Sequence, residues 1–85
     1  MDAKTNLFRL GRQLRELRQH RGLTQAALAR RAGITRLSLI AIEQGRGTVR
    51  MQAFAQLAAA MTAELQVVPS RLPTLDEVRE IFRAD

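Results

Sequence analysis

The chain has 85 residues, a formal net charge of +6 and no cysteine. This length corresponds to about one domain, and the lack of cysteine excludes disulfides and thiolate metal sites. With His20 as the single histidine, a zinc site of the usual kind is not expected. No apolar run approaches the ~18 residues of a membrane span, and the first residues are polar, so we expect a cytoplasmic protein without a signal peptide.

Positive charge is concentrated in the first part of the chain. Residues 1–50 carry eleven Lys and Arg against three acids, a net of +8, whereas residues 51–85 have a net of −2. Ten of the eleven are arginine, whose planar guanidinium matches phosphate oxygens two at a time. A nucleic-acid surface and a merely solvated basic surface are both compatible with this distribution.

Four helices are predicted in residues 1–62. The first covers roughly residues 6–21, because four leucines recur there at spacings of three and four, and Gly22 ends it. The second covers residues 25–32 and has Thr24 as its N-cap. The leucines of the first helix are Leu7, Leu10, Leu14 and Leu17.

The third and fourth helices are expected over residues 36–44 and 51–61. Thr35 is the predicted N-cap of the third helix, and Gly45 closes it. The fourth helix has apolar residues at helical spacing, namely Met51, Phe54, Leu57, Ala58 and Met61.

A strand is predicted after the fourth helix. In residues 63–69, Leu65 and Val67 alternate with their neighbours, which is the period of a strand. A lone strand needs a partner for its N–H and C=O groups, and the same strand of a second copy is the simplest one. Leu65, Val67 and Val68 are therefore predicted dimerisation residues, the alternative being an extension packed on the fourth helix.

A short amphipathic helix is expected near the end of the chain. Thr74 and Glu77 have the spacing of a capping box, and an apolar stripe follows that could cover its own domain, a second subunit or a groove on a partner. The stripe consists of Leu75, Val78, Ile81 and Phe82. The chain thus divides into a domain over 1–62 and a dimerisation strand with a tail helix over 63–85.

The second and third helices are predicted to form a helix-turn-helix. This motif needs a small residue at Ala29, so that the two backbones approach, and glycine at Gly33 for a positive φ. It also needs apolar residues at Ile34, Leu39 and Ile42 to hold the third helix against the others. All five are present.

The segment LTQAALARRAGITRLSLIAIEQG, residues 23–45, resembles the core of the Xre/lambda-repressor-like DNA-binding proteins. The resemblance extends over roughly residues 7–61 and implies an all-α fold of four to five helices, with the third in the major groove of double-stranded DNA. The segment AELQVVP is similar to the C-terminal strand of HipB-like antitoxins, which pairs across their dimer. That similarity implies a homodimer and, as a candidate partner, a HipA-like kinase toxin.

The resemblance also implies roles for individual residues. Gln25 would contact the DNA backbone, and Arg18 with Glu43 would form a structural salt bridge. The implied base-reading positions are Thr35, Arg36, Leu37, Ser38 and Ala41. The implied phosphate contacts after the third helix are Gln44, Arg46 and Arg50.

The outer side of the third helix is more apolar than in relatives, because Leu37, Ile40 and Ala41 fall there. Leu37 and Ala41 could contact thymine methyl groups while Arg36 reads a guanine edge. The face could instead leave specificity to phosphate contacts and DNA shape, or it could bind a protein. All three explanations remain open.

These features predict a sequence-specific transcriptional repressor that binds a pseudo-palindromic operator as a dimer at the nucleoid, with an antitoxin role as one form of this function. The alternative is a protein-interaction module on a helix-turn-helix scaffold with weak or non-specific DNA binding. The sequence has no set of residues typical of catalysis, so neither an enzyme nor a cofactor is expected.

Overall fold

The computed structural model describes residues 2–46, 48–70, 72 and 74–83. This part of the chain contains five helices and no strand. The helices are α1 (Ala3–His20), α2 (Gln25–Ala32), α3 (Arg36–Glu43), α4 (Met51–Ala60) and α5 (Leu75–Arg83). The predicted all-α class is confirmed. Within the described ranges, none of the helices combines the length and the hydrophobicity that crossing a membrane requires.

α1 begins three residues earlier than the leucine spacing predicts. Asp2 is its N-cap, and the Asp2 carboxylate accepts a hydrogen bond of 2.8 Å from the Thr5 backbone N–H. This bond holds the pKa of Asp2 below its ordinary value. Because the leucine stripe starts only at Leu7, it carries no information about the first turn.

The hydrophobic core lies among α1 to α4. α2 packs against α3 and α4, and α1 packs against α3. Met61 is buried in this core, but Met51, which begins the predicted apolar stripe of the fourth helix, is 63% exposed and lies outside the core. Each of these four helices contributes a buried leucine to the core, namely Leu14, Leu28, Leu39 and Leu57.

α1 and α3 approach each other closely at Gly11. A Cβ atom at this position would lie 2.1 Å from the carbonyl oxygen of Ile42 and 3.1 Å from that of Glu43. Both oxygens belong to the backbone at the end of α3, so they cannot move aside without shifting the helix. Gly11 therefore allows the two helix backbones to touch.

The strand predicted over residues 63–69 is not formed, since residues 63–70 have no regular secondary structure. A strand is defined by hydrogen bonds to a neighbouring strand, and the described part of this single chain contains no other strand with which residues 63–70 could pair. In the single chain, Leu65 packs against the core whereas Val67, two residues later, is fully exposed. Pairing with a second copy stays a prediction.

α5 begins with the predicted capping box. The Thr74 backbone N–H donates to Glu77 Oε1 at 3.0 Å, and the Glu77 backbone N–H donates to Thr74 Oγ1 at 3.2 Å. α5 contacts α1 of its own chain. However, Leu75 and Phe82 are 66% and 75% exposed, so these two members of the apolar stripe do not cover the domain.

Replacing Gly11 with alanine is expected to lower the free energy of unfolding by about 1–3 kcal/mol, because the added methyl group meets rigid backbone. Helix propensity alone would favour alanine by about 1 kcal/mol, so the sign of the effect reports the contact. Urea denaturation followed by circular dichroism measures it. Gln13→Ala, at an exposed position of α1, is the control and should change stability by less than about 0.5 kcal/mol. A stabilised Gly11→Ala variant would contradict the close approach of α1 and α3.

Candidate nucleic-acid interface

α2 and α3 form a two-helix unit around a tight turn. Thr24 and Thr35 cap the two helices, their side chains accepting backbone N–H groups of Ala27 and Ser38 at 3.1 Å. Gly33 ends α2 with a φ of +75°, in the left-handed region that favours glycine. Both predicted N-caps are therefore present, and the chain turns at Gly33, where the positive φ requires glycine.

The inner side of this unit is closely packed. Ala29 is 3% exposed, and its carbonyl accepts the Ile34 backbone N–H at 3.0 Å. Leu39 and Ile42 of α3 are 0% and 2% exposed. Because these two residues face the core, the opposite side of α3 faces outward.

A buried ion pair joins α1 to the end of α3. Arg18 Nε donates to Glu43 Oε2 at 2.6 Å, and a second guanidinium nitrogen donates to Glu43 Oε1 at 3.2 Å. The remaining guanidinium nitrogen donates to the Leu23 carbonyl at 2.9 Å. The Gln25 side-chain amide, from α2, also donates to Glu43 Oε1, at 3.1 Å. The Glu43 carboxylate thus contacts side chains of both α1 and α2.

The outward side of α3 carries an arginine among apolar side chains. Arg36 is exposed, Leu37 is 79% exposed, and Ile40 and Ala41 are partly buried. The Ser38 hydroxyl oxygen accepts a hydrogen bond of 2.9 Å from the hydroxyl of the N-cap threonine. Arg36 and Leu37 are therefore the exposed side chains of the first turn of α3.

A cleft of about 620 Å³ opens beside this face, where α1, α2 and α3 meet. Gln25, Arg36 and Gln44, three of the predicted DNA contacts, line it together. Arg15, absent from the predicted contacts, lines it as well. Its position three residues before Arg18 is a signal in the sequence, because that spacing places both arginines on one side of α1. The cleft borders the N-terminus of α2, and the N-terminus of a helix favours an anion.

The other predicted contacts lie outside this cleft. Arg46 donates a hydrogen bond to the Gln44 side chain, which connects the loop after α3 to the rim of the cleft. Arg50 is exposed at the residue before α4 and does not line the cleft.

His20 is exposed at the end of α1. In the described ranges, no three His, Cys, Asp or Glu side chains come together as a metal site would require.

A family model described as a helix-turn-helix domain matches residues 9–68. The chain belongs to this helix-turn-helix family. Searches of curated proteins and of solved structures give no match. The family assignment indicates a DNA-binding protein, and the match extends from α1 to the segment after α4. α5 lies outside the matched residues.

Removing one partner of the buried ion pair is expected to destabilise this helix-turn-helix domain strongly. In Glu43→Leu, the Arg18 guanidinium stays buried without its counter-charge, so the free energy of unfolding should fall by about 3–5 kcal/mol. The double variant Arg18→Met/Glu43→Leu buries no charge and should recover most of that loss. Urea denaturation measures both.

The control for this pair is Arg12→Ala, which breaks the exposed Arg12–Glu16 contact of 3.1 Å on α1. Exposed pairs of this kind contribute little, so we expect a change below about 1 kcal/mol. If the double variant were as unstable as Glu43→Leu, the unpaired charge would not be the cause of the loss.

Proposed function

We propose that this helix-turn-helix protein is a sequence-specific transcriptional repressor that binds double-stranded DNA. The observation that carries the proposal is the cleft in which Arg15 and Arg36 lie beside the N-terminus of α2 and the outward face of α3. Guanidinium groups and helix N-terminal N–H groups suit a phosphate, and the adjoining helix suits the major groove. The net charge of +8 over residues 1–50 supports the same ligand.

Phosphate contacts are proposed for Gln25 and for the residues after α3. Gln25 uses one amide N–H for Glu43, and a side-chain amide has a second N–H that can bind a phosphate oxygen. The other proposed phosphate contacts are Gln44, Arg46 and Arg50. Such contacts fix the position of a protein on the duplex and carry no sequence information by themselves.

Base reading is proposed for the first turns of α3. The Arg36 guanidinium suits the O6 and N7 acceptors of guanine, and Leu37 and Ala41 suit the methyl group of thymine. Thr35 and Ser38 are hydrogen-bonded to each other, and the free hydroxyl proton of Ser38 can still donate to a base or a phosphate.

We further propose a homodimer that pairs through residues 63–69 and places its two α3 helices about 34 Å apart on a pseudo-palindromic operator. Val67 and Val68 support this proposal, because both expose apolar side chains to water in the single chain. An antitoxin role, with a HipA-like kinase toxin as partner, rests on the similarity of this segment to HipB-like antitoxins. In this proposal, the protein acts by binding DNA at the nucleoid, without enzymatic activity or a cofactor.

A second candidate function is a protein-interaction module that binds DNA only weakly. The observation in its favour is Leu37, which is 79% exposed in the first turn of α3. An exposed apolar side chain at that position suits a protein surface as well as a thymine methyl group. In that case α3 would contact a protein, and DNA binding would be independent of sequence.

Selection of duplexes from a random pool at near-physiological salt distinguishes the two functions. For the repressor we expect a preference of at least about 10³-fold for the selected duplex over a scrambled one, with two half-sites one helical turn apart. Weak binding that is blind to sequence and falls steeply with salt would favour the interaction module.

On the selected duplex, Arg36→Ala is expected to cost about 1–3 kcal/mol of binding free energy and little on scrambled DNA, because it removes a base contact. Gln25→Ala and Arg46→Ala should weaken binding to both duplexes. Fluorescence anisotropy measures the affinities. Arg30→Ala removes the same charge from an exposed position near the end of α2 and is the matched control. Equal behaviour of Arg36→Ala and Arg30→Ala would contradict guanine reading.

Proline substitutions in residues 63–69 test the proposed dimer. Proline removes a backbone N–H from a strand ladder, and successive N–H groups point to opposite edges, so either Gln66→Pro or Val67→Pro must remove a pairing donor. We expect one of the two to sediment as a monomer. Gln66→Ala keeps the N–H and should remain dimeric. A dimer that survives both prolines would show that another surface holds the subunits together.

A further inference from the structure

α5 is docked on α1 through a charged side chain. Arg9 Nε donates to Glu77 Oε2 at 2.6 Å and a second guanidinium nitrogen donates to Glu77 Oε1 at 3.2 Å. The two side chains are 12% and 6% exposed. By contrast, Val78 and Ile81 are only partly buried, and the other apolar residues of α5 are exposed. The docking of α5 therefore depends on Glu77 more than on apolar burial.

The docked helix brings two further carboxylates to the basic side of α1. Asp76 and Glu80 line a cleft of about 440 Å³ together with Arg12 and Arg15. Phe8 and Glu43 line the same cleft. Arg15 also lines the larger cleft at the N-terminus of α2. The carboxylates of α5 thus share a cleft with a basic side chain that borders the candidate DNA interface.

Negative charge at this place opposes the approach of a DNA backbone. Exposed charges act on each other over a Debye length of ~8–10 Å at ordinary salt, so Asp76 and Glu80 repel a phosphate that approaches Arg15. They also attract the guanidinium groups that a phosphate would otherwise engage. The net charges of +8 over residues 1–50 and −2 over residues 51–85 agree with such a competition.

We propose that α5 is an acidic brake on DNA binding. While docked through Glu77, it holds Asp76 and Glu80 beside Arg15 and lowers the affinity of the helix-turn-helix domain for DNA. This inference rests on the proposed DNA-binding function. α5 lies outside the residues that match the family, so it is an addition to the helix-turn-helix unit. Since its docking buries little apolar surface, its release is a local opening of modest cost.

Arg9→Ala tests the brake through the sign of its effect. The variant removes the contact of Arg9 with Glu77 and also one positive charge, and loss of positive charge by itself weakens DNA binding. Release of the brake has the opposite effect. We expect about two- to fivefold tighter binding of a duplex at about 50 mM salt, and a smaller gain as salt increases. Arg30→Ala removes an equal charge without touching α5 and should bind no more tightly than the unmodified chain.

Glu80→Gln provides a second test that leaves the Arg9–Glu77 pair in place. Glu80 is exposed, so the substitution does not disturb the core. We expect about twofold tighter binding. The matched control is Glu64→Gln, which removes one negative charge from an exposed position after α4 and should change the affinity less. Fluorescence anisotropy on the full chain measures all four variants.

Three outcomes are distinct. Tighter binding by Arg9→Ala, and by Glu80→Gln beyond its control, supports the brake. If Arg9→Ala weakens binding as Arg30→Ala does and Glu80→Gln equals Glu64→Gln, the brake is overturned while DNA binding stands. If the unmodified chain and every variant fail to bind DNA, the proposed function itself is wrong. Circular dichroism checks the fold of Arg9→Ala. If Arg9→Ala is unfolded, the comparison of Glu80→Gln with Glu64→Gln decides whether the brake exists.

Discussion

The carboxylate of Glu43 is the group on which the rest of the arrangement depends. It lies at the end of α3, is almost fully buried, and accepts hydrogen bonds from Arg18 of α1 and from Gln25 of α2. A buried charge must keep its partners, because water cannot replace them. This requirement fixes the N-terminus of α2 and the C-terminus of α3 relative to α1, and the larger cleft lies where those elements meet.

The two sides of α3 follow different physical rules. Burial of Leu39 and Ile42 contributes stability without regard to direction, since apolar contact is proportional to area. On the outward side, Arg36 is the directional group, with a planar fork that fits particular acceptors. The Leu37 side chain beside it makes no hydrogen bonds, so it discriminates only between apolar and polar groups on a ligand. A protein built this way depends heavily on the position of α3, because few hydrogen bonds could correct a misplaced helix.

How far the sequence predicts the structure depends on the range of each signal. The N-caps Thr24, Thr35 and Thr74 act within one turn of their own helices, and all three were predictable from local spacing. The ion pair of Arg9 with Glu77 joins residues 68 positions apart, and no local pattern indicates it. The capping box accounts for Glu77 as a local group, and its role in docking α5 appears only in the fold.

Gly11 and the segment after α4 show the limits of local patterns more sharply. In the sequence, Gly11 is only a residue of low helix propensity within a predicted helix. The carbonyl groups that explain it belong to another helix, so no local pattern indicates them. Alternation in residues 63–69 indicates a strand, but hydrogen bonds with a neighbour decide whether one exists. The place of Arg15 in the candidate interface was likewise not predicted, because it depends on the side chains of α2 and α3 that line the same cleft.

Contact between the backbones of α1 and α3 at Gly11 also limits how α3 can move. Two helices that touch through main-chain atoms cannot tilt or slide against each other without separating, and close-packed interiors resist such changes. In the proposed complex, the duplex that receives this helix must therefore adapt through its own bending and twisting. The energy of that deformation varies with the flexibility of base steps that the protein never touches. Such a protein would sort its target sites partly by their stiffness.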